Sequence, residues 1–177
     1  MAGILKVDKY QDFNGNDIMT SDGSGNLTLN NAAMKMTPAF LALATSNQSI
    51  SNATQTTVNF DTTVFDTDNT FNTSTNAYVV PSGQGGKYYL YACIRKGGTW
   101  TSTRCYMSFR KNGSDIVYIE NGNNSFQTLP AFTTLDLSAS DSIVVQYYHD
   151  NGSTQNLDSG SLTEQKVFFG GYKLIGA

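Results

Sequence analysis

The stretch KVFFGGYKLIGA (residues 166–177) decides the fold. Terminal segments are commonly polar and poorly packed, but this one is rich in apolar and aromatic residues. In a strand, successive side chains point to opposite faces, so Phe168, Gly170 and Tyr172 alternate with Phe169, Gly171 and Lys173. Glycine weakens a strand and marks a site where a backbone or a large ring approaches closely. The stretch therefore predicts a strand inside a sheet, with clearance for neighbouring aromatics on both faces.

The composition favours an all-β protein. Charged residues make up 14% of the 177 residues, against about 25% in an average soluble domain, and Asn, Ser, Thr and Gly are abundant. Thr suits strands, whereas Asn, Ser and Gly suit turns. The net charge is −3 and there is no basic stripe, so we expect no nucleic-acid partner.

The beginning of the sequence, MAGILKVDKYQDF, does not resemble a secretory signal. Lys6, Asp8 and Lys9 interrupt its first apolar group, whereas a signal peptide needs about 7–15 apolar residues. No stretch approaches the roughly 18 apolar residues of a membrane span. We expect a protein made and folded in a cytosol, with no membrane partner.

The stretch KYYLYACIRK (residues 87–96) is apolar on both faces. Tyr88, Leu90, Ala92 and Ile94 alternate with Tyr89, Tyr91 and Cys93. A strand of this kind is covered on both sides. One face fits the domain core, and the other indicates contact with another subunit.

The remaining pattern predicts a sandwich. Apolar runs and turns alternate at the spacing of about 8–12 residues that is typical of sandwiches and barrels. Asn112-Gly113 predicts a tight hairpin, and Pro130 is expected to interrupt a strand over 126–135. We expect about ten strands in two sheets packed face to face.

Residues 1–36 form a separate N-terminal segment before a domain at 37–177. Its short apolar groups are divided by polar turns, and Gly-Asn recurs ten residues apart at Gly15-Asn16 and Gly25-Asn26. Such pieces are too short to bury a core alone. We expect this short extended segment to lie on another copy, on the main domain or on a partner.

Signs of catalysis or metal binding are weak. His149 is the only histidine, no nucleophile elbow is present, and we expect His149 at the edge of a loop. Glu120 and Glu164 are the only glutamates, and nothing places them together. Residues 66–70 begin like a calcium loop but lack its glycine and distal glutamate, which favours a polar turn. We expect no enzyme, no cofactor and no metal.

Three further side chains allow alternatives. Cys93 and Cys105 are interpreted as buried thiols, although the pair alone does not exclude a bridge. Trp100 lies in a Gly- and Thr-rich loop, where it is either a plug over the core or an exposed aromatic that binds a ligand. We retain Trp100 as a ligand-binding candidate.

The order of several short motifs resembles a known family. These motifs are Pro38-Ala39-Phe40, Val58-Asn59-Phe60-Asp61, Gly86-Lys87-Tyr88-Tyr89, Leu135-Asp136-Leu137, Asp141-Ser142-Ile143 and Phe168-Phe169-Gly170-Gly171-Tyr172. Together they resemble the trimeric jelly roll shared by the complement-one-q globular head and the tumour necrosis factors, over roughly residues 38–177. One departure is Ser140, where the family usually has glycine. The family's collagen-like stalk and secretory signal are also missing from this sequence.

The resemblance implies an all-β, ten-stranded antiparallel jelly-roll sandwich that forms a homotrimer. The expected trimer-interface residues are Tyr89, Tyr91, Phe169 and Tyr172. The N-terminal run ILKVDKYQDFNGNDIM is similar to leader segments of phage virion proteins. The residues expected to anchor the protein to the particle are Ile4, Leu5, Val7, Tyr10, Phe13 and Ile18.

These resemblances predict a non-enzymatic virion protein assembled in the host cytoplasm. It would form a surface knob, as a capsid decoration protein, a short head fibre or a tail-fibre component, and it would bind a host-surface glycan or protein. The alternative is a secreted cytokine-like or lectin-like ligand of the same fold.

Overall fold

The computed structural model describes residues 6–30, 36–98, 100–101, 104–121 and 127–175. All regular structure in these ranges is β. The strands are β1 Lys9–Gln11, β2 Asp17–Ser21, β3 Leu27–Leu29, β4 Ala39–Leu43, β5 Gln48–Ile50, β6 Thr56–Thr57, β7 Thr62–Asp66, β8 Phe71–Asn72, β9 Ala77–Val79, β10 Gly86–Arg95, β11 Cys105–Lys111, β12 Ser114–Asn121, β13 Thr128–Leu137, β14 Ser142–His149, β15 Gln155–Leu157 and β16 Phe168–Lys173.

Two antiparallel sheets form the sandwich. The first has the order β13-β10-β16-β4-β7, and the second has the order β12-β11-β14-β9-β8, with β6 paired to β14. The predicted all-β sandwich is therefore confirmed. The described strands outnumber the ten expected because short pairs such as β5 with β15 add segments that sequence periodicity does not resolve.

The last strand lies in the middle of its sheet, as predicted. β16 pairs on one side with β10, where Ala92 faces Phe169, and on the other with β4, where Ala42 faces Phe169. The core lies between the two sheets, where Phe169 packs with its ring centroid 4.9 Å from that of Phe40 and 5.8 Å from that of Phe60.

Pro130 does not interrupt its strand, contrary to expectation. β13 is an edge strand that runs unbroken, and Pro130 lies opposite Cys93. Lys96 N donates to Gln127 O at 2.9 Å, so these two residues form a hydrogen-bonded pair. Hydrogen-bonded and non-hydrogen-bonded pairs alternate along an antiparallel ladder from there. Pro130 then occupies a non-hydrogen-bonded position, and its nitrogen points away from the sheet, where proline is tolerated.

The N-terminal segment is more ordered than the extended chain expected. β1, β2 and β3 form a three-stranded antiparallel meander, here called the leader sheet. Polar turns join its strands, which is why short apolar groups recur between Gly-Asn pairs. No helix in the described ranges is long and apolar enough to span a membrane.

Candidate functional site

The outer surface of the five-stranded sheet carries a continuous apolar row. The register places Phe132 opposite Tyr91, Tyr91 opposite Gly170, Gly170 opposite Leu41, and Leu41 opposite Phe65. Directly opposed residues of antiparallel strands share a face, so these five residues cross the whole sheet on the side away from the core.

A second row runs beside the first and adds two more rings. Tyr89 lies opposite Tyr172, with ring centroids 5.5 Å apart, and Tyr89 and Tyr91 are 6.1 Å apart. We call these two rows the aromatic face; its members are Leu41, Phe65, Tyr89, Tyr91, Phe132, Gly170 and Tyr172.

The aromatic face is only partly covered by its own chain. Phe132 is 65% exposed and Phe65 is 46% exposed, whereas Tyr89, Tyr91 and Tyr172 are half-buried. Burial raises the pKa of the Tyr91 hydroxyl, because desolvation disfavours the phenolate and the nearby Tyr172 and Tyr89 add to this. Contiguous exposed apolar surface of this kind marks an interaction site.

The two glycines of the closing strand serve opposite faces. A Cβ on Gly170 would lie 2.5 Å from Cζ and Oη of Tyr91, so the Tyr91 ring rests directly on the bare backbone. A Cβ on Gly171 would lie 2.5 Å from Leu90 Cδ2 and 2.9 Å from the Tyr89 carbonyl oxygen. Gly170 therefore gives clearance on the aromatic face, and Gly171 gives clearance in the core.

Three of the four predicted interface residues come together on the aromatic face: Tyr89, Tyr91 and Tyr172. Phe169 does not, because its side chain points to the other side of β16 and is fully buried in the core. This corrects the expectation that Phe169 is available to a neighbouring chain. Sequence reasoning missed Leu41, Phe65 and Phe132, which only the strand register brings into the row.

Trp100 is a core residue and not an exposed aromatic. It is 2% exposed, and its ring packs edge-on against Tyr147 and against His149, at 5.9 and 4.8 Å between centroids. Its indole N–H donates to the Gly97 carbonyl oxygen at 2.5 Å. Burial removes Trp100 as a ligand-binding candidate in this structure and favours the alternative of a plug over the core.

His149 is also buried, although a loop edge was expected. It closes β14, and its Nδ1 accepts the backbone N–H of Asn151, so Nε2 donates to the Ile50 carbonyl oxygen at 3.0 Å. Desolvation lowers the pKa of this imidazole, which favours the neutral ring. Both ring nitrogens are engaged in structural hydrogen bonds, and no general-base geometry results.

Both cysteines are buried thiols, as predicted, and the Lys96 ammonium donates to Cys105 Sγ at 3.7 Å. Cys93 lies in β10 on the side away from the core, and burial raises the pKa of its thiol to about 11. Cys105 belongs to the core on the facing sheet and is 1% exposed. A thiol with a raised pKa is a poor nucleophile at neutral pH.

The polar turn predicted at residues 66–70 is confirmed. The Asp66 carboxylate accepts the backbone N–H groups of Thr70 and Phe71, each at 2.6 Å, and Asn69 adopts a φ of 53°. The carboxylate thus caps its own turn. In the described ranges, no group of three or more His, Cys, Asp or Glu side chains is arranged to hold a metal ion.

The outer surface of the second sheet carries a different cluster, the tyrosine platform, formed by Tyr106, Tyr118 and Tyr148. Tyr106 stacks on Tyr148 at 5.0 Å and meets Tyr118 edge-on at 5.4 Å. The Arg104 guanidinium lies 4.9 Å from the Tyr106 ring centroid and pairs with Glu120 at 2.7 Å. Rings framed by charged groups suit a polar ligand better than an apolar interface.

The predicted anchoring residues divide between two faces of the leader sheet and a turn. Tyr10 lies on the face with Met19, whereas Ile18 lies on the opposite face. Phe13 is at a turn tip with its side chain fully exposed, and Val7 is exposed beside β1. Ile4 and Leu5 lie outside the described residues.

The two packed sheets define a jelly-roll domain with a partly exposed aromatic face on one sheet. A sequence model of the C1q domain matches residues 39–174, so this chain belongs to the C1q domain family. No curated protein matches the sequence.

Solved structures agree on the fold. The globular domain of zebrafish complement 1qA is similar with a TM-score of 0.54 at 15% identity, over 77% of this chain and 97% of that domain. Murine APRIL is similar with a TM-score of 0.60 at 14% identity, over 77% of this chain and 98% of that chain. The Eiger TNF of S. frugiperda is similar with a TM-score of 0.57 at 15% identity, over 78% and 93% of the two chains.

Proposed function

We propose that this protein is a non-enzymatic structural component of a phage particle, built as a homotrimeric surface knob. The trimer is proposed from the aromatic face, which its own chain covers only in part. Phe132 and Phe65 of this face are exposed at opposite edges of the sheet. Three copies arranged about an axis bury such a face in a closed assembly that does not grow further. The trimeric family that the sequence resembles supports the same arrangement.

Light scattering of the full chain tests the trimer. The expected mass is about 58 kDa, three times the 19.2 kDa of one chain. Leu41→Asp places a charge in the aromatic face beside Gly170 and is expected to give monomers, because an unpaired buried charge is costly. The matched control, Tyr118→Asp on the tyrosine platform, is expected to remain trimeric. A monomeric wild-type chain would refute the assembly.

We propose further that residues 1–36 join the knob to a capsid or tail protein during assembly in the host cytoplasm. The exposed Phe13 at a turn tip supports this role, since a fully exposed large aromatic ring has much to gain from burial. The knob would be a capsid decoration protein, a short head fibre or a tail-fibre component.

Incorporation into particles tests the anchor. A chain consisting of residues 37–177 is expected to stay trimeric but to be missing from purified particles. Phe13→Asp in the full chain is expected to reduce incorporation, with Thr28→Asp on the same leader sheet as its control. Normal incorporation of the truncated chain would exclude the leader as the anchor.

The second candidate is a secreted lectin-like or cytokine-like ligand, and the tyrosine platform favours it. This surface faces away from the aromatic face and stays exposed in the proposed trimer. Aromatic rings bordered by Arg104 and Glu120 can stack on a sugar and hydrogen-bond its hydroxyls. Finding the native protein outside intact cells, and glycan binding that Tyr118→Ala abolishes, would support this candidate over the virion role.

A further inference from the structure

The leader sheet contains the same turn twice. In the first turn the Asp12 carboxylate accepts the backbone N–H groups of Asn14 and Asn16, both at 2.9 Å, and the Asn16 side-chain amide, also at 2.9 Å. In the second, Asp22 accepts the equivalent bonds from Ser24 and Asn26. The ten-residue repeat of the sequence is thus a repeat of structure, and it fixes how the three strands are aligned.

This alignment makes the leader sheet amphipathic. The register places Tyr10, Met19 and Leu29 in one row across all three strands, and Leu27 lies on the same face opposite Ser21. The opposite face carries Lys9, Thr20 and Thr28 in the equivalent row. The apolar face is open: Tyr10 is 56% exposed and Leu27 is 59% exposed.

The leader sheet is too small to be stable without a partner. It contributes strands of three, five and three residues, with no buried residue among them. Three short strands need a hydrophobic face packed on something to persist. A shallow hollow of about 80 Å³, lined by Val7, Tyr10, Met19 and Leu27 among others, shows where an apolar side chain would be received.

The attachment point of the leader determines which partner is nearest. The chain enters the sandwich at Ala39, which lies opposite Tyr172 on the outer side of the five-stranded sheet, and Lys173 N donates to the Pro38 carbonyl oxygen at 3.0 Å. Asn30 and Pro38 are eight positions apart in the sequence, so their Cα atoms are at most about 28 Å apart. In the proposed trimer, all three leaders are therefore tethered beside the same axis, at a high effective concentration for one another.

We propose that the three leader sheets of one trimer pack against each other through the Tyr10–Met19–Leu29 row, forming a second self-association contact about the same axis. The occupant of the apolar face is a second copy of this chain and not the particle. This inference rests on the proposed trimer, and it leaves Phe13 and Ile18 outside the contact and available to the capsid or tail protein.

Disulfide trapping in the full chain tests the contact. Met19→Cys lies in the centre of the apolar row, and Thr20→Cys is the matched control one residue away on the opposite face. Under mild oxidation, Met19→Cys is expected to give a covalent dimer on a non-reducing gel. The dimer should hold at most two thirds of the chains, because three thiols around an axis can form only one bond. Thr20→Cys and the wild type, with its buried Cys93 and Cys105, should remain monomeric on the gel.

The outcomes separate this contact from the trimer itself. A three-chain mass by light scattering without a Met19→Cys dimer overturns the leader contact and leaves the trimer standing. Equal dimer yields from both variants also overturn it, since the contact would not be specific to one face. A one-chain mass overturns the trimer and the leader contact together.

Limited proteolysis gives a second measure that does not depend on disulfide geometry. Met19→Asp puts a charge into the proposed contact and should expose the leader sheet to trypsin. Cleavage after Lys9 should then be at least about tenfold faster than in the control Thr20→Asp. A tenfold difference corresponds to about 1.4 kcal/mol of lost protection. Equal cleavage rates in the two variants would overturn the proposal.

Discussion

Replacing either glycine of the closing strand by alanine is expected to affect a different property of the protein. In Gly171→Ala the new Cβ meets Leu90 Cδ2 at 2.5 Å, the Tyr89 carbonyl oxygen at 2.9 Å and the Phe40 ring at 3.2 Å. The backbone oxygen cannot rotate away, so the two central strands must separate. In Gly170→Ala the three atoms nearest to the new Cβ all belong to the outer end of the Tyr91 ring, which can swing towards solvent.

The expected magnitudes follow from this difference. Overpacking a core usually costs about 1–3 kcal/mol, so Gly171→Ala should lower the melting temperature by roughly 2–12 °C in a domain of this size. Gly170→Ala should cost the single chain less, but it displaces the Tyr91 ring from its place on Gly170 in the aromatic face. Its main effect should therefore be a weaker trimer.

Two measurements distinguish these effects. Thermal unfolding at several protein concentrations reports stability together with association, because binding between copies makes the melting temperature depend on concentration. Light scattering over a dilution series reports association alone. The reasoning is refuted if Gly171→Ala melts like the wild type, or if Gly170→Ala dissociates no more readily than the wild type.

Three further predictions concern single sites. Ser140 has a φ of 71°, so Ser140→Gly should raise the free energy of unfolding by about 0.5–1 kcal/mol in urea titrations, and an unchanged midpoint would contradict the strain. The Asp141 carboxylate pairs with the Lys111 ammonium at 2.7 Å and accepts Ser138 N–H at 2.7 Å, and both interactions lower its pKa. The stabilisation of the folded state by this carboxylate is full above the unfolded pKa of about 3.9 and is lost as the pH falls through the lower folded pKa. In Asp141→Asn, the free energy of unfolding should therefore fall less steeply at acid pH than in the wild type. Trp100→Ala should cost about 3–5 kcal/mol in chemical unfolding, and the wild-type tryptophan fluorescence should resist acrylamide; ready quenching would show that the ring is exposed.

The sequence predicts those features of the fold that depend on local alternation. The two-faced pattern at Tyr88 to Cys93 predicts that β10 is covered on both sides, and the paired glycines predict large rings beside Gly170. The sequence also marks Ser140 as a position where the family usually has glycine. The backbone of Ser140 is in the left-handed region, which favours glycine. Local spacing carries this information because side chains in strands alternate with period two.

Features that depend on contacts distant in sequence are not predicted. Phe132, Leu41 and Phe65 become neighbours of Tyr91 only through the pairing of strands far apart in the chain. The loop around Trp100 is rich in glycine and threonine whether its tryptophan points inward or outward, so composition cannot decide its burial. Alternation along β16 places Phe169 and Tyr172 on opposite faces of the sheet, but alternation alone does not reveal which face is the core.

Pro130 limits how another chain can add to the sheet edge formed by β13. An open sheet edge with free N–H groups can recruit another strand and propagate into a fibril. On β13 the nitrogen at this outward position belongs to a proline, so the edge lacks a donor there and lateral strand addition is blocked at that point. In the proposed trimer, copies of this chain would therefore associate through the aromatic face, which closes into an assembly of finite size, and not through this edge.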